Sequence, residues 1–219
     1  MPSCSIRLIV DAVPVCKIPS KKAEQVLDAA RRLFVERGFG ATNMDALAAA
    51  AGVSKATIYA HYDSKEALFA ATARRECRRL VVRMAIGDDL AEHRSLDAAL
   101  THIGRAFLDT LMSPEIVGLL RMVIAESTRF PELGQIYYDS APGQTLASVT
   151  CYLDRARREG LLIDCDTRRA AEQFLSLLRG DLHIRILLAH PPPLEERDPA
   201  IAEAVATFVA RYGARPAAR

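Results

Sequence analysis

Apolar residues recur along this chain every three or four positions and almost nowhere every two. That is the period of helices, not of strands. Val26, Leu27, Ala30, Leu33 and Phe34 make the first stripe, on a helix predicted from Ser20, its N-cap, to Arg37, with Gly38 as the terminating glycine. Leu96, Ala99, Leu100, Ile103, Phe107 and Leu111 share one side of a helix over 95–112. Pro114 opens the next helix, 114–129, and Pro131 restarts the chain with Leu133, Ile136 and Tyr137 facing inward. Pro142-Gly143 kinks or splits a helix that ends near Gly160. A long apolar helix over 167–189 has Gly180 midway and stops at three prolines, 191–193. The last helix, about 199–212, carries Ile201, Ala204, Val205, Phe208, Val209 and Tyr212 along one stripe. The expected fold class is all-α, with about nine helices.

The shortest periodic pieces lie between Ala41 and Lys65. Thr42 or Asn43 caps a thin helix rich in alanine, and Thr42-x-x-Asp45 reads as a capping box with Asp in place of Glu. Gly52 makes a sharp turn, and Ser54 caps a helix over 55–61. Asp63 and Ser64 break it, and Ser64 caps a helix that runs to about Ile86. This is a helix-turn-helix pattern, whose second helix enters the major groove of DNA. At 100° per residue, Ile58 and Tyr62 face the core while Ala56 and Ala60 lie opposite. The outward ridge is therefore low and lets the backbone approach the groove floor. Alanine touches a thymine methyl but forms no bidentate hydrogen bond, so base readout falls on Lys55, Thr57 and Tyr59. Tyr59 and His61 are alternatively phosphate contacts. Lys65, at the start of the following helix, and Thr42 and Asn43, at the start of the first, are placed for phosphates. Ser54 completes the expected DNA-binding set. Part of the specificity is expected from DNA shape.

Charge sharpens this picture only when it is divided. The whole chain is +2, but residues 21–83 hold 12 Lys/Arg against 7 Asp/Glu, and residues 84–219 hold 15 against 19. The N-terminal third is thus the part suited to a polyanion. Arg74, Arg75, Arg78, Arg79 and Arg83 are less so than they look. At about 1.5 Å per residue they lie roughly 13–27 Å beyond Lys65 along their helix, and they are expected to form a solvated face.

The five cysteines have no CxxC or Cys/His ligand spacing, so neither a disulfide framework nor a metal site is expected, and the thiols are taken as reduced. Residues 1–19 are apolar but interrupted by Asp11 and two prolines, too short to span a bilayer and poor as a signal peptide. They are expected to be a flexible arm. No catalytic constellation or phosphate loop occurs, so no enzyme and no cofactor are expected.

The run from Val26 to Ala71 closely resembles the N-terminal domain of TetR/AcrR-family transcriptional regulators. The matching positions are Leu33-Phe34 to Gly38-Phe39, then Thr42, Leu47-Ala48 and Ala51-Gly52-Val53-Ser54, then Thr57, Tyr59 and His61-Tyr62, and lastly Ser64-Lys65-Glu66 with Leu68. Leu47 and Tyr62 are conservative departures from the family's Ile and Phe. Arg121–Gly143 looks more loosely like the C-terminal domain of the AefR-like branch. The resemblance implies a cytoplasmic, dimeric, ligand-responsive regulator, most often a repressor, binding a palindromic operator and released by a small organic effector. With the arm at 1–19, the chain is expected to hold a DNA-binding domain at 20–66 and an effector and dimerisation domain at 67–213, which the resemblance favours as paired through the last two helices. Phe107, Met122, Tyr137, Phe174 and His183 are the effector-contact candidates, each, taken singly, read more readily as ordinary packing. The rival from another class is a helical small-molecule-binding protein without DNA binding.

Overall fold

The structure, a computed structural model, describes residues 21–84 and 95–214, with side chains at 22–75 and 95–214. The expected arm at 1–19 and the Ser20 cap lie outside the described residues. The described residues are helical nearly throughout: α1 Lys21–Arg37, α2 Met44–Ala51, α3 Lys55–Tyr59, α4 Lys65–Met84, α5 Leu96–Leu111, α6 Pro114–Glu126, α7 Pro131–Ser140, α8 Pro142–Arg158, α9 Thr167–Leu187 and α10 Arg197–Tyr212. Pro142 splits α7 from α8 rather than kinking one helix. Asn43, Ser54, Ser95 and Asp166 cap α2, α3, α5 and α9, each side chain accepting from the backbone N–H three residues on. Asn43 is therefore the α2 cap, and the Thr42-x-x-Asp45 capping box does not form. Helix α9 is broken at Gly180, whose backbone leaves helical geometry.

The chain forms two compact units. Among the described residues, one joins 21–78 with 114–143; the other joins 79–84 and 95–113 with 144–214. Helices α6 and α7 thus fall in the same compact unit as the helix-turn-helix. In that unit Phe34, Phe39 and Phe69 pack ring against ring at 5.5–5.9 Å, and Phe130 stands edge-on to Phe39 at 5.2 Å. Leu47, Ile58 and Leu68 are fully buried around them, and Leu119, Met122, Leu133 and Tyr137 extend the same core. Gly118 lets α6 close on α1, since a Cβ there would stand 2.9 Å from Val35. Arg75 is not on a solvated face. It is buried, and its guanidinium pairs with Glu24 at 3.2 Å and Asp28 at 2.9 Å, tying α4 to α1. Arg78, Arg79 and Arg83 lie outside the described side chains.

The second unit packs α5, α8, α9 and α10 around Leu100, Ile103, Val149, Leu153, Phe174 and Phe208. Phe174 meets Phe208 edge-on at 5.2 Å. Burial pushes the Tyr152 phenol up to about 12. The residue after α10 returns to the α8–α9 connection, where Leu162 and Gly213 form an isolated antiparallel bridge. Cys165 is free, but Cys151, buried on α8, is disulfide-bonded, which corrects the expectation of reduced thiols for that residue. No described helix is long and apolar enough to cross a membrane.

Candidate nucleic-acid interface

The turn between α2 and α3 is built from three consecutive residues. Gly52 adopts φ +65°, a left-handed conformation, and its N–H bonds the Ala49 carbonyl while Val53 N–H reaches Ala48. A Cβ at Gly52 would meet nothing within 4 Å, so the requirement is backbone conformation, not space. Ser54 then starts α3, accepting from Thr57 N–H at 3.1 Å. Helix α3 has only five residues, shorter than the 55–61 expected, yet Tyr62 N–H still bonds the Ile58 carbonyl. Ile58 is fully buried and Tyr62 half-buried against the same core, which fixes the rotation of the helix. Lys55, Ala56, Tyr59, Ala60 and His61 are exposed as a result, Tyr59 by 44%. Thr57 is half-buried, and its hydroxyl lies 2.8 Å from that of Ser54. A hydroxyl has one donor and two acceptor sites, so that contact leaves both residues capacity for DNA. Asn43 spends its amide oxygen on the α2 cap and keeps its amide N–H groups.

Two residues expected on phosphates are instead bound within the fold. Thr42 is buried, and its hydroxyl donates to the carbonyls of Gly38 at 2.7 Å and Leu33 at 3.2 Å. Its side chain closes the end of α1. Lys65 donates to the carbonyls of Phe39 at 2.8 Å and Thr42 at 2.9 Å, with its ammonium 4.3 Å from the Phe39 ring centroid. One of its three N–H groups remains for a phosphate. Its first task is to hold the 39–42 turn, whose carbonyls point back at the start of α4.

The same turn is braced from α6. Glu126 accepts from Gly40 N–H at 3.4 Å, and Phe130 covers Gly40, whose Cβ would stand 3.4 Å from that ring. Gly38, at φ +81°, would place a Cβ 2.5 Å from the Glu126 carboxylate. Sequence reasoning missed Glu126 and Phe130 as parts of the reading head. The two glycines at 38 and 40 were a usable signal of a close approach, but nothing local named the partner. Lys55 also has an unexpected partner, Asp45 on the first turn of α2, 3.0 Å away. The hydrogen bond to Asp45, then its charge, raises the Lys55 pKa.

The effector candidates divide between the two units. Met122 and Tyr137 are buried in the core beneath the helix-turn-helix. Phe107 and Phe174 are buried in the other core. The five therefore do not form one lining within either unit, because the apolar side chains Met122 of α6 and Tyr137 of α7 join the core beneath the helix-turn-helix. In the second unit the Phe107 ring lies 5.7 Å from the Arg179 guanidinium, and two buried polar atoms, Thr110 Oγ1 and His183 Nε2, have no hydrogen-bond partner. Burial, then the charge of Arg179, lowers the His183 pKa. A surface groove of about 580 Å³ runs between α9 and α10, lined among others by Gln173, Leu177, Gly180, Thr207 and Arg211.

Residues 26–72 match the family model for bacterial regulatory proteins of the tetR family, and residues 98–214 match that for the C-terminal domain of AefR-like transcriptional repressors. The HTH-type transcriptional regulator AlkX of Mycobacterium tuberculosis is 30% identical over 217 residues, covering 91% of this chain and 93% of AlkX. Two uncharacterised HTH-type regulators of the same species are 50% identical over 58 residues, and this chain spans only 29% of their length. Among solved structures, the flavonoid-responsive regulator FrrA is 39% identical, with a TM-score of 0.75 over 90% of this chain and 99% of FrrA.

Proposed function

We infer function from one premise: the chain belongs to the TetR family of transcriptional regulators, with an AefR-like C-terminal domain, and is not an enzyme. TetR-family regulators bind DNA and small-molecule effectors, typically as dimers. We propose that this protein is a repressor that binds a palindromic operator in the cytoplasm as a homodimer and leaves it when an effector binds. The observation that carries the reading is the exposed ridge Lys55, Ala56, Tyr59 and Ala60 on a helix seated by Ile58. Lys55, Thr57 and Tyr59 read base edges, while Asn43, Ser54, His61 and the spare proton of Lys65 position the backbone.

The homodimer forms through α9 and α10. Ala202, Ala206 and Ala210 are exposed along one face of α10, and Leu177 and Ile184 are exposed on α9. Small and apolar side chains on paired helices suit a four-helix interface. The two recognition helices then meet half-sites about 34–36 Å apart. An effector releases the DNA only by binding the DNA-incompetent state more tightly. Because FrrA is flavonoid-responsive, a planar aromatic polyphenol is the first effector class to test, with Phe107, Thr110, Arg179 and His183 as its contacts.

The test is a gel shift with the DNA upstream of the protein's own gene, with and without a flavonoid. A retarded band that the flavonoid dissolves supports the reading. No band at low salt overturns it in favour of a small-molecule-binding protein. Tyr59→Ala is expected to weaken the operator complex by about 1–3 kcal/mol and random DNA far less. An equal loss on both makes Tyr59 a phosphate contact.

A further inference from the structure

Between Gly38 and Ser64 the reading head carries one Lys or Arg, Lys55, against two acids, Asp45 and Asp63. A segment built to approach a polyanion thus carries more acid than base. Asp63 lies in the break after α3, but Asp45 is joined to the one cation: Lys55 Nζ stands 3.0 Å from Asp45 Oδ2, linking the first turns of α2 and α3. The fold does not need this pair. The α2 cap is Asn43, α3 is capped by Ser54, and both charged side chains stand in solvent, Asp45 by 72% and Lys55 by 48%. An exposed pair of this kind contributes little to stability.

We propose that Asp45 is a specificity-determining residue of the DNA-facing surface, which by engaging Lys55 lowers affinity for non-operator DNA more than for the operator. The proposal rests on the DNA-binding reading above. On random DNA the available partners of Lys55 are phosphates, and what such a contact yields is largely counterion release. With Asp45 already neutralising the ammonium, fewer counterions leave and that complex is weakened. On the operator the ammonium keeps Asp45 and donates its other N–H groups to a guanine O6 or N7, a contact that carries sequence information. The carboxylate also holds the flexible lysine in one place, so less side-chain freedom is lost on reading the base.

The test compares wild type, Asp45→Asn, Lys55→Met and the double variant by fluorescence anisotropy between 50 and 200 mM salt. The probes are a random-sequence 30-bp duplex and a duplex selected by the wild type from a randomised pool. Asp45→Asn is expected to tighten the random duplex about threefold to tenfold and to steepen its salt slope by about one unit, with a smaller gain on the selected duplex. The gain is expected to vanish in the Lys55→Met background. An equal gain on both duplexes, or a gain that persists without Lys55, overturns the proposal, because Asp45 is then only a general repulsive charge. Wild type that binds neither duplex at low salt overturns the DNA-binding reading itself. Unchanged thermal unfolding of Asp45→Asn keeps the comparison free of folding effects.

Discussion

The turn before α2 and the recognition helix after it are neighbours in one motif, yet they are held in opposite ways. Residues 38–42 are braced from three elements: Thr42 closes the end of α1, Lys65 holds two carbonyls from α4, and Glu126 and Phe130 press in from α6 and the segment after it. Helix α3 has its own cap, one fully buried side chain and an exposed ridge. Polar side chains in the first region are committed to the fold. In the second they remain largely available to a partner. The same residue types therefore mean different things twenty residues apart, and burial decides which.

That contrast can be broken by mutation, beginning with the largest effect. Phe39→Ala removes the ring shared by Phe34, Phe69, Phe130 and the Lys65 ammonium, and is expected to cost about 3–5 kcal/mol in urea unfolding. A loss below about 1 kcal/mol would show that the turn is not a structural centre. Gly38→Ala forces a side chain into left-handed geometry, about 1–2 kcal/mol, and adds the clash with Glu126. In a Glu126→Ala background only the conformational share should remain, which separates the two costs. Lys65→Met leaves two inward carbonyls without their charged donor and is expected to lose about 1.5–3 kcal/mol together with DNA affinity. Unchanged stability with a reduced salt slope would instead return Lys65 to a purely phosphate-binding role. On the other side of the contrast, Tyr59→Ala should shift unfolding by no more than about 0.5 kcal/mol, since its side chain is exposed. A larger loss would place Tyr59 with the turn residues.

Most of the fold was legible because helix signals are local. Periodic stripes, Asn, Ser and Asp caps, Gly38, Gly52 and the prolines each act within four or five residues, so α1, α2 and α5–α10 appear close to where they were expected. The Ile58 and Tyr62 face of α3 followed from the same counting. What counting could not do was assign long-range partners. Lys65 meets carbonyls 23 and 26 positions away, Gly40 meets Glu126 86 positions away, and Lys55 meets Asp45 across a turn. The proposed domain boundary near residue 66 is likewise a statement about chain order, whereas the pairing of 114–143 with the head depends on which faces α6 and α7 bury.

The helices, the turn at Gly52, the orientation of the recognition helix and the family could all be read along the chain. Each of these rests on spacing along the backbone, which the chain carries wherever it folds. Packing in three dimensions is what makes Thr42 and Lys65 serve the fold, turns Arg75 into a buried clamp, and sets Met122 and Tyr137 beneath the reading head. The reason is physical: a polar side chain is taken by whichever partner burial brings within hydrogen-bond reach, and a one-dimensional pattern does not contain that distance.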